Sequence, residues 1–429
     1  MKSFKNNHIE NNNNQLEIPF DFGYSKQINL NSQIPNFLLN IELAKFPFFF
    51  LKRSEIVSKS RVGLAKYKVM KKLESEGMDR KTIEKATEIN TSLYSLIHST
   101  EFISSNKEKE TWTINAHPFF GFPDEFDSFV WDYILFLISS IYYETHNINP
   151  YICFNRTDIC NFFIHKNYFK TITGAIYEKI DTSIQRMLFT KYNYSKGFWV
   201  SRSKNFTGSD YQFSLIKNIY RKNTILKDTD NNNEIVSSDY CIQIEPIIYF
   251  NFINNYFLLS PRSVRLQLTN LTSKTLYDKL NYMLYHSLTN SPGDYCTAMK
   301  YNGKLFRIIS SDFFFDSVGR KNILTYHNSK VKNYKSVLFQ KIKPFFEELI
   351  SINFLSDYFI DKSLNNKLNI VFIYNNNYID DFINILGNKQ KQKLDQIKRE
   401  LTPEMISSYY KKINTFICES ENISRISNL

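Results

Sequence analysis

The stretch YKSVLFQKIKPFFEELI, residues 334–350, is followed three residues on by FLSDYFI, residues 354–360. It reads as a long, basic, amphipathic helix interrupted by Pro344, followed by an aromatic strand. An earlier stretch, YFKTITGAIYEKIDTSIQRM, residues 168–187, has the same character and leads into Leu188-Phe189-Thr190. A helix that feeds a short β-ribbon is the end of a winged helix, and basic residues along it make it a candidate reader of DNA. Two such units predict a chain that grips a duplex at two neighbouring segments.

Working outward, each helix is preceded by further elements. In the first unit these are a strand at Trp112-Thr113-Ile114, an apolar helix over 129–143 capped by Asp127, a strand over 151–154, and a short helix capped by Thr157 or Asp158. Residues 188–194 and 198–203, split by Ser195-Lys196-Gly197, have hairpin chemistry, and 211–219 adds a strand. The second unit starts at Tyr240, with strands at 242–245 and 256–259 around a short buried helix over 247–252. An amphipathic helix follows over 272–288, then a strand over 305–309, a short helix from Ser311, and a wing strand over 367–374. The fold class expected is α+β, two tandem winged-helix domains with a helical insertion in the first and a helical C-terminal tail. The boundaries are an N-terminal arm over 1–34, domain 1 over 35–226 with the insertion at 58–105, and a polar linker at 227–238. Domain 2 covers 239–385, and the tail, a helix pair divided at Pro403, covers 386–429. Asn11 to Asn14 mark the arm as mobile, and Lys45 to Arg53 reads as a first strand with Pro47 near its start.

With 429 residues the chain is long enough for two domains with true hydrophobic cores. Its 54 Lys and Arg against 42 Asp and Glu give a net charge of +12, a balance that favours nucleic acid or an acidic surface as partner. The residues before Gln15 lack the apolar core of a secretory signal, and the run over 129–143 is too short to span a bilayer. Cys153, Cys160, Cys241, Cys296 and Cys418 form no CxxC, which argues against a disulfide scaffold or structural zinc and for a reducing, cytoplasmic setting.

Three acid-free basic tracts stand out. One carries Lys59, Arg61, Lys66, Lys68, Lys71 and Lys72; it lies in the insertion. The second carries Arg186, Lys191, Lys196, Arg202 and Lys204. The third carries Arg320, Lys321, Lys330, Lys332, Lys335, Lys341 and Lys343. The last two coincide with the helix-plus-wing ends and are candidate phosphate contacts, each worth a salt slope of about −0.9. Asn328, Asn333 and Arg320 are candidate base readers in the second unit, and Lys166, Asn167 and Lys170 hold the corresponding place in the first. Helix capping competes for the asparagines, and Arg186, next to Met187-Leu188, fits structure or phosphate better than a base. No P-loop, His-x-His or HExxH motif occurs, and the carboxylates at 125 and 127 or 380 and 381 read as caps or turns. No catalytic residue, metal ligand or cofactor is expected.

The order of these elements resembles plasmid replication initiator proteins of the replication initiator protein A and TrfA-like group. The residues that carry the likeness are Asn36 to Asn40 with Phe46-Pro47-Phe48-Phe49, then 126–142, Ile152 to Ile159 and 177–188, and in the second half 256–259, 276–285 and 339–355. The insertion at 58–105 and the residues around Arg186 depart from that pattern. The resemblance implies two winged helices binding repeated origin sites (iterons) in double-stranded DNA, opening of an adjacent AT-rich region, and recruitment of host helicase and initiator proteins. It also implies a homodimeric form that represses its own gene. The alternatives are a winged-helix transcription regulator, a metal-dependent replicative enzyme such as a primase using Asp380 and Asp381, and a protein drawn to membrane surfaces.

Overall fold

The computed structural model describes residues 34–46, 48–49, 54–87, 96–103, 109–166, 168–169, 171–227, 234–290, 305–311, 314–315, 334–361, 368–405 and 407–408. In chain order the first half contains β1 (Asn36–Asn40), α1 (Ile41–Ala44), α2 (Ser54–Ser75), α3 (Arg80–Thr87), β2 (Leu96–Ile103), β3 (Lys109–Ala116), α4 (Glu125–Thr145), β4 (Tyr151–Asn155), α5 (Arg156–His165) and α6 (Gly174–Phe189). Then come β5 (Lys191–Tyr194), β6 (Trp199–Val200), β7 (Asn205–Phe206), β8 (Gln212–Phe213), β9 (Ile216–Lys227), β10 (Glu234–Ile244), α7 (Pro246–Ile253) and β11 (Phe257–Pro261). The second half contains α8 (Arg262–Arg265), α9 (Leu271–Thr289), β12 (Phe306–Ser310), α10 (Tyr334–Ser351), β13 (Leu355–Asp361), β14 (Asn369–Tyr374), α11 (Asn376–Ile385) and α12 (Asn388–Glu400). The chain is an α+β protein.

One topological unit occurs twice. A long helix (α4, α9) leads to a strand (β4, β12), then helical residues and a second long helix (α6, α10), then an antiparallel strand pair, directly in the second unit (β13–β14) and after β5 to β8 in the first (β9–β10). Residues 311 and 314–315 stand in the second unit where α5 stands in the first. In both units the last strand lies in the middle of a three-stranded antiparallel sheet, in the orders β4-β10-β9 and β12-β14-β13. Flanked on both sides, β14 (NIVFIY) is buried along most of its length, as its unbroken apolar run requires.

Two hydrophobic cores follow from this repeat. The first spans Ile34 to Leu258 around α4, whose residues from Val130 to Ile141 are buried on every side. The second spans Val264 to Leu394 around α9. Its tyrosine hydroxyls are satisfied internally: Tyr277 bonds Ser260 at 3.0 Å and Tyr378 at 2.9 Å, and Tyr374 donates to the Leu280 carbonyl at 3.0 Å. β1 pairs with β11, Asn36 opposite Pro261, and its Leu38 amide donates to Ser139 Oγ of α4 at 2.9 Å.

Several expectations change. The opening strand is Asn36–Asn40; none of the described residues between 45 and 53 is a strand. Phe46 and Phe48 instead pack on Trp112, with ring centroids 4.5 and 5.1 Å away. Among the described residues the 58–105 insertion is not helical throughout: helices reach to Thr87, and Leu96–Ile103 is β2, paired with β3. Asp124, not Asp127, is the N-cap of α4, and Asp127 completes the capping box from three residues on. Likewise Asn155 caps α5 and Asp158 answers it.

The helix expected from Tyr168 starts at Gly174. The one expected to break at Pro344 continues through it, because both Pro344 and Gln340, whose carbonyl loses its partner, are exposed. Residues 188–194 and 198–203 do not pair with each other: β5 joins β3 and β8, and β6 joins β7. The hairpin of the first unit is β9–β10, and the expected linker supplies the ends of its strands, Glu234 facing Lys227. Consequently Tyr240 to Leu258 belong to the first core, not to a second domain. At the other end α12 is no separate tail, since Leu394 enters the second core. Residues 1–33 lie outside the described residues.

Candidate nucleic-acid interface

The corresponding helices of the two units, α6 and α10, are each fixed by one carboxylate. On α10, Glu348 accepts from the Thr269 and Asn270 amides at 2.8 and 3.2 Å and from the Thr269 hydroxyl at 3.1 Å. That places a negative charge at the N-terminus of α9, where the helix dipole favours it. Leu338, Ile342, Phe345, Phe346 and Leu349 go into the core. Lys335 and Ser336 in the first turn, and Gln340, Lys341 and Lys343 further along, are exposed to solvent. Lys343 has an acid one turn on, with Nζ 3.5 Å from Glu347, both about half exposed; such a pair is weak and readily exchanged.

On α6 the fixing carboxylate is Asp181. It accepts from the Tyr240 hydroxyl of β10 at 2.6 Å, from Arg156 of α5 at 3.1 Å and from Arg221 of β9 at 3.3 Å. One side chain therefore sets the helix against both strands of its hairpin and against the preceding helix. The exposed positions of α6 include Ala175, Glu178 and Lys179, and exposed on β9 are Lys217, Asn218 and Arg221. Lys179, Lys217 and Arg221 had no place among the sequence candidates, although KNIYRK over 217–222 shows the signal: cations without an acid in a strand pattern.

Lys166 ends α5, at the turn before α6, with its ammonium 5.7 Å from the centre of the Phe162 ring. Burial, and the Arg262 guanidinium nearby, pull its pKa down to about 8. His165 beside it is lowered for the same reasons, burial first and then Lys166 and Arg262. Three basic groups thus crowd one spot, which an anion would relieve.

The other first-unit candidates lie elsewhere. Lys191 on β5 donates to Ser214 Oγ at 3.2 Å, and burial lowers its pKa. Lys196 pairs with Glu110 at 2.9 Å. Arg202 stacks over Phe250 at 4.8 Å, and Lys204 sits exposed in the turn between β6 and β7 with φ of 53°. These four belong to the segment between α6 and β9, not to the hairpin of the repeated unit. Arg186 is tied inward: its Nη1 lies 2.6 Å from the fully buried Asp127 carboxylate, and its Nε donates to the Phe120 carbonyl at 2.8 Å, the structural role among the two expected for it. Asn167, Lys170, Arg320, Lys321, Asn328, Lys330, Lys332 and Asn333 lie outside the described residues, so only Lys335, Lys341 and Lys343 of the second-unit candidates are seen, together on α10.

Among the described residues no group of three or more His, Cys, Asp or Glu side chains is placed to hold a metal. No helix among them is long and apolar enough to cross a membrane. No protein-family model matches the chain, and no curated protein does. Among solved structures, domains 2 and 3 of RctB overlap 65% of this chain and 90% of their own at 13% identity, with a TM-score of 0.37. A second structure of RctB domains 2-3 overlaps 66% and 93% at 9% identity, with a TM-score of 0.32. Overlaps at TM-scores this low establish no shared fold.

Proposed function

We propose that both repeated units are winged helices, and that the chain is a non-catalytic replication initiator holding double-stranded DNA through them. The observation that carries the reading is the repeat itself. Helix, strand, helical residues, long helix and hairpin recur, with the last strand central in both sheets. In a winged helix the second long helix enters the major groove and the hairpin tip lies on the flanking backbone. Exposed Lys335, Lys341 and Lys343 on α10, and Lys179 and Lys217 with the Lys166 turn in the first unit, supply the phosphate contacts of that pose. The motif order that resembles plasmid replication initiators assigns the target: repeated sites at an origin, with origin opening and recruitment of host helicase following. A dimer that represses its own gene is part of the same reading.

The test is a gel-shift titration with DNA from around the gene, at two salt concentrations and with competitor DNA, beside a plasmid carrying only this gene and its candidate origin. Retention on short direct repeats together with plasmid maintenance supports initiation. Retention on the repeats without maintenance identifies a transcription regulator instead. Loss on all sequences alike as salt rises leaves only unspecific electrostatics and overturns the proposal. Metal-dependent nucleotide incorporation abolished by loss of Asp380 and Asp381 would put a primase in its place.

A further inference from the structure

Cys153 on β4 and Cys241 on β10 are directly opposed in the antiparallel ladder, 88 residues apart in sequence. Opposed residues of such a pair have Cα atoms about 4.5–5.5 Å apart, inside the span that a disulfide bridges. Their neighbours Ile152, Phe154, Tyr240 and Ile242 enter the first core, so the two thiols share the other face of the sheet. Their sulfurs lie 2.6 Å apart. Cys153 is partly exposed and Cys241 is buried. We propose that this pair is a thiol–disulfide exchange site, oxidised by a low-molecular-weight disulfide to a bridge that staples β4 to β10.

The contact between the sulfurs lowers the Cys153 thiol and raises Cys241, so the accessible sulfur is the one that ionises first. The Cys153 thiolate attacks one sulfur of the small disulfide, forming a mixed disulfide and expelling one thiolate. Cys241, losing its proton to solvent, attacks the Cys153 sulfur, closing the protein disulfide and expelling the second thiolate. The two protein thiols lose two electrons and two protons, and the small disulfide takes up both electrons. The bridge fastens the central strand of the sheet, which carries Tyr240, the partner of Asp181 on α6. The proposal stands apart from the DNA reading and survives its failure.

The experiment incubates the full-length reduced protein with glutathione disulfide, blocks remaining thiols with iodoacetamide under denaturing conditions, and maps the peptides by mass spectrometry. The expected product joins Cys153 to Cys241, two hydrogens lighter than the reduced pair and reopened by dithiothreitol. The buried Cys160 is alkylated throughout and serves as the internal reference. In Cys241→Ser, glutathione stays trapped on Cys153; in Cys153→Ser, Cys241 is recovered alkylated. Wild-type protein in which both thiols are alkylated, or in which glutathione stays on Cys153, overturns the proposal without recourse to either variant.

Discussion

Arg265 Nη2 lies 3.0 Å from Asp132 Oδ1, joining the helix that opens the second half to the central helix of the first. Lys274 of α9 bonds the other oxygen of the same carboxylate and the Ser128 hydroxyl, the latter at 2.8 Å, and Arg265 also bonds Asp278. Asp132, Arg265 and Lys274 are each no more than 4% exposed along their side chains. This buried cluster ties α4 of the first core to α8 and α9 of the second.

Removing Asp132 leaves two buried cations short of their counter-charge. Asp132→Ala is therefore expected to lower stability by about 3–5 kcal/mol. The combined change Asp132→Leu with Lys274→Met, which removes a whole pair, should cost less than Asp132→Ala. Urea unfolding of the variants measures both, and an equal loss in the two would show that the charges contribute little beyond packing.

Arg186→Met separates structure from DNA contact. It strands the buried Asp127 carboxylate, so a loss of about 3–5 kcal/mol in urea unfolding is expected. The salt slope of DNA binding stays unchanged at temperatures where the variant is folded. A slope shallower by about 0.9 would instead return Arg186 to the interface.

Lys335, Lys341 and Lys343 are exposed on α10. Changing all three to Ala should weaken binding to every sequence and make the salt slope shallower by up to about 2.7, at about 0.9 per phosphate. Glu347→Ala should tighten binding at low salt, because it releases Lys343. Filter binding across a salt series measures both, and unchanged affinity in the triple variant removes α10 from the interface.

The Lys166 turn gives a pH signature. With its pKa near 8, Lys166 loses its charge between pH 7 and 9, and a bound phosphate that prefers the charged form raises that pKa. DNA affinity should thus fall as pH climbs through 8, more steeply in wild type than in Lys166→Met. Parallel pH profiles for the two proteins would show that Lys166 faces no phosphate.

Periodicity and residue type in the sequence determined the elements that bury their own local pattern. The helix at 271–289, the strands at 257–261 and 306–310, and the helix at 334–351 with the strand pair after it all follow from apolar spacing. The repeat was legible for the same reason, as were the exposed lysines of α10. What the tertiary structure alone decided was pairing. A strand pattern does not name its partner, so KYNY after α6 reads as hairpin chemistry while Tyr192 is drawn into the stack on Trp112, 5.7 Å between ring centres, and binds that strand to β3. A polar stretch such as 227–238 looks like a linker whether it joins two domains or turns a hairpin. The carboxylates that fix α6 and α10, Asp181 and Glu348, and Asp132 between the two cores carry no local signal either, since an acid reads as solvated until a distant chain segment brings a cation or a free amide to it.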